Sequence, residues 1–202
     1  MTKHNPYRIH QQHDFFTHQE CKTVKDLLLT HEEDVLKIPH IHKHNGYSGI
    51  TNKLHVYNWL EHTELRNIFT PKLFSIPLFA EYDSLWVQCW GNILRYGQMI
   101  KKHVHREEHE RTKQGHQNIV YACSIFISGK EDHGILINDT HYTNRLGECV
   151  VLGEEVPHRV KTYYHKEPRI SLAFDIMTKD WTGDMSCIHT PERYVELQNP
   201  YI

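Results

Sequence analysis

The chain predicts an all-β sandwich or barrel carried behind a layer of helices. Three observations predict it. From Ser84 to Met177, short runs rich in β-branched and aromatic residues alternate with glycines and charged turns, as in antiparallel β-proteins. Before Ser84 the apolar residues instead recur at helical spacing, beginning at a capping signal. At 202 residues with 39% hydrophobic and 24% charged content, the chain suits one domain with a sizeable core, residues 1–202.

Residues 1–13 are polar and read as an arm. Thr17-His-Gln-Glu20 is a capping box that opens a helix, and Val24, Leu27, Leu28 and Leu36 give it one apolar stripe to about Ile38. Residues 39–50 read as a loop or edge strand. A short helix is expected around 59–69, stopped by Pro71, with a further apolar stretch through 72–82. Together residues 1–83 form an N-terminal support layer. The expected strands lie within 84–97, 99–105, 118–129, 134–139, 148–153, 158–164 and 169–177, with Lys130–Gly134 as a hairpin loop. Residues 178–202 read as a tail.

A net charge of −2 gives no reason to expect nucleic acid or an anionic membrane as a partner. The opening MTKHNPYRIHQQH lacks the apolar core of a signal peptide, and no segment approaches a membrane span. Five cysteines (Cys21, Cys89, Cys123, Cys149, Cys187) lack any CxxC spacing, which fits a reduced, cytoplasmic protein better than a zinc-thiolate site.

The chain holds 19 histidines, and at that density about two HxH triplets arise by chance. The pairs His40/His42 and His42/His44 therefore read as an exposed polar strand. His103 and His105 differ in context, because they close an apolar strand and alternation puts both on one face. Glu107 shares that face. His158 opens a later strand that can run beside the first, and three imidazoles with open positions suit a non-haem metal. Eleven residues on, Arg169, Ser171 and Ala173 share one face of another strand. A guanidinium buried there would demand an anion, and a bidentate carboxylate with the Ser171 hydroxyl as second donor would satisfy it.

The run Trp90-Gly-Asn92-Ile-Leu-Arg-Tyr96-Gly97, His103-Val-His105, His158 and Arg169-Ile-Ser171 resembles the prolyl-4-hydroxylase-like branch of the Fe(II)- and 2-oxoglutarate-dependent oxygenases. The resemblance covers residues 84–177. It implies a double-stranded β-helix (jelly roll) that uses molecular oxygen to hydroxylate an unactivated C–H bond of a small molecule or peptide, releasing succinate and CO2. It implies His103 and His158 as iron ligands, Arg169 and Ser171 on the distal carboxylate of 2-oxoglutarate, and Tyr96 and Asn92 near that cosubstrate. Two departures stand. Where the family has an acidic ligand two residues after the first histidine, this chain has His105, with Glu107 a competitor if the frame slides. Phe126 stands where some relatives have a cosubstrate-binding tyrosine. The charged segment between His105 and Asn118 reads as a lid or a solvated loop.

A rival pattern resembles the cupins: Gly97, His103, His105 and Glu110 as a first metal motif, Gly147 and His158 as a second. That motif lacks its proline and glycine, with Gly153 and Glu155 in their places, and a cupin has no use for Arg169. A non-catalytic metal-binding jelly roll is the third reading.

Overall fold

A computed structural model describes residues 7–39, 47–54, 56–105, 120–177 and 194–202. The element order is β1 (Ile9–Gln12), α1 (His18–Lys37), α2 (Thr63–Ser75), β2 (Ser84–Leu94), β3 (Ile100–His103), β4 (Val120–Ser128), β5 (Ile135–Ile137), β6 (Thr140–Tyr142), β7 (Cys149–Gly153), β8 (His158–Val160), β9 (Arg169–Met177) and β10 (Val195–Gln198). Two sheets face each other. One has the order β1-β7-β4-β9-β2-β10, the other β3-β8-β5-β6, and every pairing is antiparallel.

The larger sheet has two different faces because its side chains alternate. Val87, Cys89 and Ile93 of β2, Ile125 of β4, and Leu172, Phe174 and Ile176 of β9 turn to the helices and form the main core with Val24, Leu28, Leu65 and Phe69. Phe69 of α2 stacks flat on Phe174, with centroids 4.2 Å apart. Gly91 lets the helical layer come close, since a Cβ there would lie 2.8 Å from Leu28 Cδ2 and 3.3 Å from Trp59 Nε1. A second, smaller core of Leu94, Ala122, Ile137, Val150 and Val160 lies between the sheets.

The capping box at Thr17 and Glu20 forms in both directions, with Glu20 N–H donating to Thr17 Oγ1 and Thr17 N–H to Glu20 Oε2. Val35 is buried and Ile38 packs against the core, so the stripe runs to its expected end, while Leu36 is exposed. Elsewhere the sequence expectations need correction. Pro71 lies inside α2 rather than at its end. Leu65, Phe69, Leu73 and Phe74 are buried on both sides of it, and that burial outweighs the roughly 3 kcal/mol that an interior proline costs. Residues 59–61 make a separate 3₁₀ turn. Lys130–Gly134 carries the chain from one sheet to the other and is no hairpin. The hairpin is β5–β6, turned by Asn138 and Asp139, whose φ values of 49° and 63° are those of a type I′ turn. Finally, the polar arm and the tail each contribute a strand, β1 on β7 and β10 on β2. Backbone pairing holds them, so neither needs an apolar sequence.

Candidate metal centre and anion pocket

His103 ends β3 and pairs across the smaller sheet with His158, the first residue of β8. His105 lies just beyond β3, its N–H donating to Glu154 O at 3.0 Å. These placements bring the ligand nitrogens of His103, His105 and His158 within 4.8 Å of one another.

The tautomers follow from the partners. His103 Nδ1 faces Lys101 O at 2.8 Å, and His158 Nδ1 faces Val156 O at 2.9 Å. A carbonyl only accepts, so both Nδ1 atoms carry the proton, and Nε2 is the ligating nitrogen of each neutral ring. His105 Nδ1 hydrogen-bonds the Asp175 carboxylate, which assigns it the same tautomer. His105 Nε2 and His158 Nε2 stand 3.3 Å apart. Two imidazoles about 2.1 Å from a shared ion would place their nitrogens about 3.0–3.4 Å apart. Three converging acceptors with oriented outer nitrogens are the donor set of a divalent transition metal. Burial, with the other two imidazoles beside it, holds the His158 pKa well below the usual histidine value, so the ring is neutral and ready to ligate. Trp90 lies nearly parallel to His105 at 6.0 Å and packs one side of its ring.

The same side of the larger sheet carries the anion pocket. Along β9, alternation sends Arg169, Ser171, Ala173 and Asp175 between the sheets. Arg169 is 1% exposed, and among the described residues no carboxylate pairs with it. Its Nε donates to His133 O at 3.3 Å, Nη1 to Ser171 Oγ at 3.1 Å and Nη2 to Asn144 Oδ1 at 3.1 Å. Its carbon centre lies 5.7 Å over the Phe126 ring. All these partners are neutral. A guanidinium has five N–H donors, so two still lack an acceptor among these bonds. Desolvation pulls its pKa down to about 10, which still leaves it charged at neutral pH. Ser171 Oγ also accepts from Asn92 Nδ2 at 3.4 Å, and Asn92 Oδ1 is held by Thr51 Oγ1 at 2.9 Å.

Between the imidazoles and the guanidinium, the floor is low. Ala173 pairs with Trp90 on one side and Ser124 on the other, and Ala173 and Ser124 keep partial exposure in the middle of a covered sheet. A cleft of about 260 Å³, counted with its open mouth, enters between the sheets past Ser124, Phe126, Ile135, Asn144, Glu148 and Val150. The cleft shares Asn144 with the hydrogen-bond partners of Arg169.

The structure gathers His103, His105 and His158 into one cluster, and separately links Arg169, Ser171 and Asn92 by hydrogen bonds. It does not bring Tyr96 to them: that ring is 72% exposed and packs edge-on against Tyr164 at 5.4 Å. Glu107, the Glu110 of the cupin pattern, the charged segment 106–117, His40, His42, His44 and Cys187 lie outside the described residues. Sequence reasoning missed Asp175, although alternation from Arg169 points to it, and an acid in so apolar a strand is itself a signal. It also missed Asn144 and the carbonyl of His133, for which no local pattern exists.

No family model matches the chain, and no curated protein matches it by sequence. Its fold is nonetheless that of solved double-stranded β-helix oxygenases. The non-heme alpha-ketoglutarate-dependent epimerase SnoN from nogalamycin biosynthesis aligns with a TM-score of 0.57 at 9% identity, covering 85% of this chain and 78% of that one. The viral collagen prolyl hydroxylase of Paramecium bursaria Chlorella virus-1 aligns with a TM-score of 0.50 at 10% identity, covering 85% and 90%. At such identities the likeness defines the fold alone. Among the described residues, no helix is long and apolar enough to cross a membrane.

Proposed function

We propose that the chain is a non-haem Fe(II)- and 2-oxoglutarate-dependent dioxygenase that hydroxylates an unactivated C–H bond of a small molecule or peptide. His103, His105 and His158 hold the iron, Arg169 and Ser171 bind the distal carboxylate of 2-oxoglutarate, and Asn92 orients Ser171. The observations that carry this reading are a cluster of three imidazoles and, on the inter-sheet face of β9, a buried guanidinium whose hydrogen-bond partners among the described residues are all neutral. Leaving that cation without an anion would be costly, and a dicarboxylate that also reaches the metal answers both needs. The bound iron and cosubstrate would supply oxygen activation, with oxidative decarboxylation to succinate and CO2. The protein's own work is to orient the rings through their outer nitrogens, pair the cosubstrate charge and keep water out. The fold is one on which an alpha-ketoglutarate-dependent epimerase and a collagen prolyl hydroxylase are both built, so it is compatible with this chemistry and leaves the reaction open.

The test is direct. Purified protein with Fe(II) under air is expected to turn 2-oxoglutarate into succinate, slowly, even without substrate. Arg169→Ala should abolish 2-oxoglutarate binding, measured by calorimetry with Mn(II) in place of iron, while leaving metal binding intact. Equal loss of metal and cosubstrate would mean that Arg169 is structural.

A further inference from the structure

We propose that Asp175 is the positioning residue of the metal centre: it fixes the His105 ring for coordination and gives the centre its negative charge through that ring. The inference rests on reading the three imidazoles as metal ligands, and goes beyond it in assigning unequal roles to them. His103 and His158 hand their outer nitrogen to neutral backbone carbonyls, Lys101 O and Val156 O. Among the described residues, His105 hands its outer nitrogen to a carboxylate, that of Asp175. Three imidazoles bring no charge of their own, so a divalent ion among them would keep both its charges. An anionic acceptor on Nδ1 raises the donor strength of Nε2 on the same ring, which makes His105 the strongest of the three ligands.

Position supports the role. Asp175 projects from the sheet face that carries Arg169, Ser171 and Ala173, with Gln88 on β2 and Ala122 on β4 as its cross-strand neighbours. Neither neighbour is a cation, and among the described residues its hydrogen-bond partner is His105. The two side chains are only 8% and 20% exposed, so water screens the contact weakly. His105 lies past the end of β3, where strand pairing no longer fixes its ring. Asp175 on one ring nitrogen and Trp90 across the ring's flat side supply that restraint.

The test compares the metal-free wild type with Asp175→Asn and Asp175→Glu, each titrated with Co(II) while the visible d–d bands are followed. Asp175→Asn should bind Co(II) about 10–100-fold more weakly with displaced bands, at a thermal midpoint close to wild type, and Asp175→Glu should recover part of the loss. Nitrogen NMR of the metal-free wild type should show His105 protonated at Nδ1, a readout that needs no variant to fold. Wild-type affinity and spectrum in Asp175→Asn, or a proton on Nε2 of His105, would overturn the assignment. So would a fall in Co(II) affinity with undisplaced bands and a matching fall in thermal midpoint, since that would be a merely structural role. A wild type that binds no Co(II) would instead sink the metal reading, and this inference with it.

Discussion

Ser171 shows how single atoms set the pocket's polarity. Its oxygen accepts from Arg169 Nη1 and Asn92 Nδ2, so its own hydrogen is left to donate. The Asn92 amide cannot turn to change this, because Thr51 holds its oxygen. Ser171→Ala should therefore weaken 2-oxoglutarate binding about tenfold, the worth of one hydrogen bond to a charged group, with Mn(II) affinity unchanged. Calorimetry checks both; an unchanged cosubstrate affinity would remove Ser171 from the pocket. At this scale the sequence was informative wherever a residue sits on a regular strand. Along the regular strand β9, period-two alternation puts Arg169 and Ser171 on one face, and it reaches Asp175 by the same rule. Tyr96 failed for a physical reason. The chain leaves β2 after Leu94 and turns through Gly97 at φ 83°, so alternation carried on from Asn92 has no meaning there.

At the scale of elements, the exposed edge of β2 had to be protected, and the solution is not a strand. β10 covers only Ser84 to Val87. Beyond it Asn58 acts as a partner in miniature: its Nδ2 donates to Val87 O at 3.0 Å, and its Oδ1 accepts from Cys89 N–H at 3.1 Å and Leu60 N–H at 3.0 Å. Asn58 is fully buried, so Asn58→Ala would strand three main-chain groups away from water. A loss of about 2–3 kcal/mol is expected from the urea midpoint at unchanged slope. A loss below about 0.5 kcal/mol would mean that water replaces the amide. Such an edge device is invisible in sequence, because it joins residues about thirty apart through a side chain with no periodicity. The strands β1 and β10 escaped notice for a related reason. Their stability comes from the neighbours they pair with, whereas the capping box of α1 is a local, four-residue event and could be read directly.

At the scale of the whole molecule, histidine burial ties stability to pH. Burial is the leading cause that lowers the pKa of His10, His62, His133 and His158. Each is neutral in the fold, while the same side chain in the unfolded chain takes up a proton near pH 6.5. As pH falls through that value, the unfolded state binds protons that the folded state refuses, so folding loses free energy. The sign is fixed: stability is fully present above about pH 6.5 and declines below it, through the depressed folded values. The thermal midpoint of the metal-free protein should accordingly be flat from about pH 7 to 8 and fall between about pH 6.5 and 5. Scanning calorimetry across that range checks it, and a midpoint that rises on acidification would contradict the burial of these rings. Replacing His62, which stacks on Trp59 at 5.4 Å and meets Tyr57 Oη at 2.6 Å, separates the general effect from the metal centre. His62→Gln keeps a hydrogen-bonding side chain that does not titrate. It should flatten part of the acid slope while leaving Co(II) binding untouched, because His62 belongs to the helical layer and not to the inter-sheet space.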